Sequence, residues 1–197
     1  MALRHEPRLL IVPGLHDSGP AHWQSWLESL HRGSVRVRQD DWSAGDLERW
    51  ARRLGETLRA HGPGPWIAVA HSFGCLALAR WLADAGREPG VAAALLVAPA
   101  DPRRFNIDEA RLSHRLPVPA TVIASDTDPW MSAATARVWT RRWGAHGLNL
   151  GDAGHINAEA GFGPLPLARR WVLAHAQRLR RAERPRHAPL AEWSFAA

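Results

Sequence analysis

Lysine and tyrosine are absent from this chain of 197 residues, and cysteine occurs only once, at Cys75. A single cysteine excludes an intrachain disulfide and a cysteine-based metal cluster, so we predict no metal site. Since lysine is missing, all 25 basic residues are arginine, and the formal net charge of +6 arises mostly from residues 178–186. The rest of the chain is close to neutral, and we therefore expect no nucleic-acid partner.

Long apolar runs are absent as well. No segment reaches the roughly 18 uninterrupted apolar residues that a membrane span requires, and the apolar run near the start is too short for the core of a signal peptide. We therefore predict a cytoplasmic protein with no membrane partner. With 46% hydrophobic and 22% charged residues, the composition fits one globular domain. We assign that domain to residues 1–182 and a basic tail that contains Pro and Arg to residues 183–197.

Short apolar runs alternate with amphipathic stretches along the chain. Runs such as LLIV, IAVA, ALLVA and TVIA lack polar alternation, which is typical of parallel strands covered by helices on both faces. We predict an α/β fold with a doubly wound, mostly parallel sheet of about six strands. The predicted strands are 8–12, 35–38, 66–70, 93–98, 121–125 and 147–150. The predicted helices are one after a cap at Ser18 and others at 47–58, 73–85, about 132–143 and about 166–182.

The segment AHSFG, residues 70–74, stands where a predicted strand meets a predicted helix. It matches the pattern G-x-S-x-G, in which a serine lies on a sharp strand-to-helix turn between small residues, except that Ala70 replaces the first glycine. A serine at this place is either a helix N-cap or a nucleophile. Because the flanking strand and helix are those that the motif requires, we interpret Ser72 as the nucleophile.

A nucleophilic serine needs a base that takes its proton and an acid that orients the base. In this architecture the acid and then the histidine follow the serine along the chain. The loop after the TVIAS strand offers Asp126 and Asp128, and the loop after the last strand offers His155. We favour Asp128 over Asp126, because the proline after it holds it in an extended turn.

Backbone N–H groups must stabilise the oxyanion that forms on the substrate carbonyl. We predict that the amide of Phe73, directly after the serine, supplies one of them. The loop after the first strand supplies the other, with Leu15 preferred and His16 next. We also predict that His16, Trp42 and Trp130 bind substrate, although packing at the rim explains the two tryptophans equally well.

The chain resembles a known family in several separate motifs, namely VPGLHDSGPAHWQSWL, QDDW, VAHSFG, VAPADP, SDTDPW and GHIN. Over residues 8 to about 181 they are similar, in order, to the serine hydrolases of the RBBP9/YdeN type, which are small α/β-hydrolases. The resemblance implies an α/β-hydrolase fold without a large lid and a catalytic triad at Ser72, Asp128 and His155. It also implies esterase activity on small acyl esters and no cofactor. Ala70 and the basic tail depart from the family pattern.

These observations lead to one principal prediction and one alternative. The principal prediction is a serine hydrolase that cleaves small esters, and less readily amides, through an acyl-enzyme intermediate. The alternative is a protein of the same fold that binds a protein partner and has little or no catalytic activity. The complete set of triad residues favours the enzyme, because a non-catalytic relative would usually have lost one of them.

Overall fold

A computed structural model describes residues 6–84 and 90–182. The predicted tail at residues 183–197 lies outside the described residues. Within them, helices and strands alternate along the chain as the apolar pattern predicts. No helix in these ranges is long and apolar enough to cross a membrane.

A parallel sheet of six strands forms the centre of the described part of the protein. All five pairs of neighbouring strands are parallel, and the spatial order is β2-β1-β3-β4-β5-β6. The predicted α/β-hydrolase fold is confirmed. The second strand is shorter than predicted, because only two of its residues pair with β1. The strands are β1 (Arg8–Val12), β2 (Val35–Arg36), β3 (Trp66–His71), β4 (Val91–Val97), β5 (Ala120–Ala124) and β6 (His146–Asn149).

Five α-helices accompany the strands in the described ranges. They are α1 (Trp23–Ser29), α2 (Leu47–His61), α3 (Phe73–Asp84), α4 (Ala133–Arg142) and α5 (Pro166–Ala182). The predicted cap of the first helix at Ser18 is wrong. Helix α1 begins four residues later, where the Nδ1 atom of His22 accepts a hydrogen bond from the Gln24 amide. Residues 20–22 form a turn or bend instead of a first helical turn, and the Ser18 hydroxyl donates to the Gln24 side-chain oxygen at 2.5 Å.

The helices cover both faces of the sheet and bury an apolar core on each. Leu10 and Val12 of β1 point to one face and pack in a cluster with residues of α2, α3 and α4. Leu9 and Ile11 point to the opposite face and pack with residues of α1 and α5. This alternation follows from the two-residue period of a strand. Tryptophans of the helices pack in both clusters, and the fully buried ones include Trp23, Trp50 and Trp139.

The connection between β4 and β5 is where a larger hydrolase can carry a lid. Here it holds only two short 3₁₀-helices, Pro102–Phe105 and Glu109–Arg111. No large lid lies in the described ranges, and the carboxyl ends of the strands are therefore left accessible. In sheets of this type ligands bind beyond those ends.

Candidate active site

Ser72 lies on a sharp turn between β3 and α3. Its φ of 53° is in the left-handed region, which costs free energy for a residue with a side chain and recurs at functional sites. The turn passes very close to the loop after β1. A Cβ atom on Gly74 would lie 2.3 Å from the Pro13 carbonyl oxygen, and one on Gly14 would lie 2.8 Å from the Ser72 Cβ. Glycine is therefore required at both positions, which is the steric basis of the motif.

Three of the predicted residues come together at this turn. The Nε2 atom of His155 lies 2.9 Å from the Ser72 Oγ. Its Nδ1 atom lies 2.9 Å and 3.0 Å from the two carboxylate oxygens of Asp128. The side chains of Asp128 and His155 are 3% and 8% exposed, so the chain of hydrogen bonds is shielded from water. Such an arrangement can move a proton from the serine to the imidazole.

The structure also separates the two candidate acids. Asp126 is exposed and accepts a hydrogen bond from the Asn149 side chain at 2.7 Å, away from His155. Asp128 faces His155 and also accepts from the Trp130 amide at 2.8 Å. Pro129, which lies between Asp128 and Trp130, holds the turn that directs the Asp128 carboxylate towards His155.

The loop that carries His155 is anchored by side chains from distant parts of the chain. The Trp23 indole donates to the Ile156 carbonyl at 2.8 Å. His71 is buried, and burial holds the pKa of its imidazole well below the usual range. The neutral ring can therefore donate one proton, and its Nε2 atom lies 3.0 Å from the His155 carbonyl oxygen. Sequence patterns do not reveal these anchors, because the partners lie 133 and 84 residues apart.

Leu15 follows Gly14, whose backbone closely approaches Ser72, and Phe73 follows Ser72 directly in the chain. Within the described residues, neither Leu15 nor Phe73 has a hydrogen-bond acceptor for its N–H group. The His16 amide is different, since it donates to the Trp42 carbonyl at 2.9 Å. Of the three amides that the sequence suggested for the oxyanion hole, the His16 amide is thus one that already has a backbone partner.

Ser72 and His155 line a cavity of about 360 Å³. Its lining includes Leu15, His16, Phe105 and Trp130, together with the acidic residues Asp17 and Glu159. The Trp130 ring is 42% exposed and its centroid lies 6.1 Å from that of His155. Trp42, which we also predicted to bind substrate, does not line this cavity. It is half-buried and packs edge-on against Trp50 at 5.7 Å, at the border of the core.

Replacing Trp130 with alanine should raise the KM for a hydrophobic ester. We expect kcat/KM to fall about tenfold, equivalent to about 1.4 kcal/mol of lost contact, with kcat nearly unchanged. The Trp130→Phe variant should restore most of the loss. Trp42→Phe is the matched control and should leave the KM at the wild-type value; an equal rise in KM for both tryptophan sites would contradict the assignment.

His22 also borders the cavity, and it is an unusual titratable group. Burial, with the nearby Arg36 guanidinium, lowers the pKa of this imidazole to about 4. Unfolding returns the pKa to about 6.5, so the unfolded chain binds more protons than the folded one between these values. Stability from His22 is therefore fully present above about pH 6.5 and is lost as the pH falls towards 4.

This linkage predicts a decline in the free energy of unfolding on acidification. Below pH 6.5, His22 should contribute a slope of up to about 1.4 kcal/mol per pH unit, and the lowered pKa of His71 acts in the same direction. His22→Asn keeps a good N-cap but removes the titrating group. Urea titrations between pH 7 and 4.5 should give a shallower decline for this variant than for wild type. The surface variant His146→Asn should retain the wild-type slope, and equal slopes for all three proteins would refute the prediction.

Comparison with known proteins identifies the family. Residues 9–174 match the family model described as serine hydrolase. The chain belongs to the serine hydrolase family. A YdeN-like hydrolase from Pectobacterium atrosepticum has a similar structure, with a TM-score of 0.82 and 38% identity over 88% of this chain and 92% of that one. No curated protein matches the chain.

More distant structures share the architecture. The ydeN gene product from B. subtilis is 22% identical, with a TM-score of 0.71 over 86% of this chain and 98% of that chain. Est1E from Butyrivibrio proteoclasticus, solved with ferulic acid bound, is 12% identical with a TM-score of 0.63 over 88% and 90% of the two chains. At these identities the likeness shows the fold. Together with the family match, the similarity to the hydrolase from Pectobacterium atrosepticum marks this chain as a YdeN-type serine hydrolase.

Proposed function

We propose that this serine hydrolase cleaves small carboxylic esters through an acyl-enzyme intermediate. The observation that carries the proposal is the continuous chain of hydrogen bonds from Ser72 through His155 to Asp128, at 2.9 Å for each link. It opens into a cavity large enough for a small acyl group. Nucleophile, base and orienting acid are the three parts that activation of a serine requires.

In the first half of the reaction, the Ser72 Oγ attacks the ester carbonyl carbon while His155 Nε2 accepts the hydroxyl proton. The Asp128 carboxylate holds the imidazole in the tautomer with a proton on Nδ1 and stabilises the imidazolium. The amides of Leu15 and Phe73 donate to the negatively charged oxygen. Collapse of this intermediate breaks the bond to the alcohol oxygen, and His155 returns its proton to the departing alcohol.

In the second half, water attacks the acyl-enzyme. His155 now takes a proton from the water as its oxygen bonds to the carbonyl carbon, and the same two amides again stabilise the oxyanion. The bond from the carbon to Ser72 Oγ then breaks, and the imidazolium protonates the serine. The products are a carboxylic acid and the free enzyme. Every step uses side chains or amides of this chain, so the proposed mechanism needs no cofactor.

We rank esters above amides, because an ester carbonyl is less stabilised by resonance and an alkoxide leaves more readily than the anion of an amine. The open cavity of about 360 Å³ favours a short acyl group over a long lipid chain. Among structural relatives, Est1E was solved with ferulic acid, and an esterase from Pyrococcus furiosus shares the fold at a TM-score of 0.60. These neighbours support ester chemistry as the first to test.

The test is hydrolysis of nitrophenyl acetate, butyrate and octanoate, with nitroacetanilide as the amide. We expect turnover of the two short esters, a lower kcat/KM for octanoate and the slowest reaction for the anilide. An initial burst of nitrophenol equal to the enzyme concentration would indicate the acyl-enzyme. If folded protein turned over none of the esters, the esterase proposal would fail, and the protein-binding alternative would become the better one.

A further inference from the structure

Thr127 joins the loop that carries the acid to the loop that carries the base. Its hydroxyl oxygen accepts a hydrogen bond from the Gly154 amide at 3.0 Å and donates to the Asp152 carboxylate at 2.7 Å. Thr127 directly precedes Asp128, and Gly154 directly precedes His155. One hydroxyl therefore bridges the two loops at the residues immediately before the two members of the proposed triad.

The position of this bridge matters because the backbone on the histidine side is irregular. Gly154 has a φ of 52°, and Ile156, on the other side of His155, has a φ of 47°. No regular strand or helix fixes this segment, since β6 ends at Asn149 and α5 begins only at Pro166. The direction of the imidazole thus depends on hydrogen bonds made by the loop. A bond to the Gly154 amide acts on the peptide group that leads directly into His155.

The general shape of the same loop is held by a different side chain. The buried Ser125 hydroxyl donates to the Gly151 carbonyl at 2.9 Å and accepts from the Ala153 amide at 3.0 Å. Thr127 is exposed in comparison. Loss of the threonine hydroxyl therefore leaves the buried Ser125 anchor in place. We expect this loss to change the separation of Asp128 and His155 and to leave folding intact.

We propose that Thr127 is a positioning residue, whose hydroxyl sets the distance between the Asp128 carboxylate and the His155 imidazole. This inference rests on the proposed triad function and adds to it a residue that touches neither substrate nor reacting atoms. Displacement of catalytic groups by about 1 Å can cost about 100-fold in rate. Because Thr127 does not line the cavity, the loss should appear in kcat and leave KM unchanged.

The experiment compares Thr127→Val, which keeps the shape and removes the hydroxyl, with Thr127→Ser, which keeps the hydroxyl. We expect kcat on nitrophenyl acetate to fall about 10- to 100-fold in the valine variant, with KM unchanged. The serine variant should recover most of the rate. Thr135→Val is the matched control: its hydroxyl bonds with Ser132 at the start of α4, and its kcat should equal that of wild type. Melting temperatures should be similar for all four proteins.

Labelling by a fluorophosphonate separates failure of this inference from failure of the proposed function. If wild-type protein reacts at Ser72 and Thr127→Val reacts equally fast with equal kcat, the positioning role is wrong and the esterase proposal stands. If wild-type protein does not react at Ser72, the proposed function itself fails, and the positioning role fails with it. A drop in kcat that Thr127→Ser does not recover would also overturn the role of the hydroxyl.

Discussion

Ser72→Ala is expected to lower kcat/KM on nitrophenyl acetate by at least about 10³-fold, because it removes the nucleophile and leaves only binding and oxyanion stabilisation. The change deletes one oxygen and keeps the Cβ atom, so it introduces no new contact with Gly14. The left-handed backbone at position 72 already accommodates a Cβ atom. We therefore expect the variant to fold normally, and its circular dichroism and melting temperature should match wild type.

Ser29→Ala is a suitable control for that variant. The Ser29 hydroxyl is exposed and donates to the Trp26 carbonyl within α1, and Ser29 is not among the residues that line the cavity. Its activity should equal that of wild type. If Ser72→Ala retained wild-type turnover, another group would have to be the nucleophile.

Asp128→Asn is expected to lower kcat by about 10⁴-fold, the size of the effect known for the equivalent change in serine proteases. An asparagine offers His155 one acceptor oxygen instead of two and carries no charge, so it neither fixes the Nδ1–H tautomer nor stabilises the imidazolium. The Nδ1 atom of His155 lies nearly equally far from the two carboxylate oxygens, at 2.9 Å and 3.0 Å, so both oxygens take part in this contact.

Asp126→Asn provides a matched control in the same loop. Asp126 is exposed and contacts Asn149 instead of His155, so the same chemical change two residues away should leave kcat unchanged. Steady-state kinetics of both variants on nitrophenyl acetate tests the assignment directly. A large loss in Asp126→Asn, with Asp128→Asn unaffected, would reverse the choice of acid.

The sheet and its order of elements could be predicted well from sequence, because buried parallel strands are continuous apolar runs. LLIV became β1, and TVIA lies within β5. The start of α1 could not be predicted. Serine is a common residue type at helix N-caps, but the helix begins only at Trp23, and the Ser18 hydroxyl bonds to the Gln24 side chain. A cap depends on where a side chain points, and residue type alone does not specify that.

In the candidate site too, some features could be predicted from the sequence and others could not. The small residues around Ser72 are a local pattern, and the order in which Asp128 and His155 follow is part of the same motif; together they selected three residues that the structure places within hydrogen-bond distance. The roles of the two loop tryptophans were not predictable, because both follow strands but only Trp130 lines the cavity. The bridge made by Thr127 was missed as well. No sequence motif marks this contact, whereas the Asp128–His155 contact across the same 27 residues follows from the expected chain order.

The most direct test of the account is reaction of the purified protein with a fluorophosphonate, followed by mass spectrometry of the proteolytic peptides. The reagent captures a serine only when a neighbouring base activates it. We predict one adduct, on Ser72, that disappears in Ser72→Ala and forms far more slowly in His155→Ala. Folded wild-type protein without an adduct, or with an adduct on another serine, would contradict the assignment of Ser72 as an activated nucleophile.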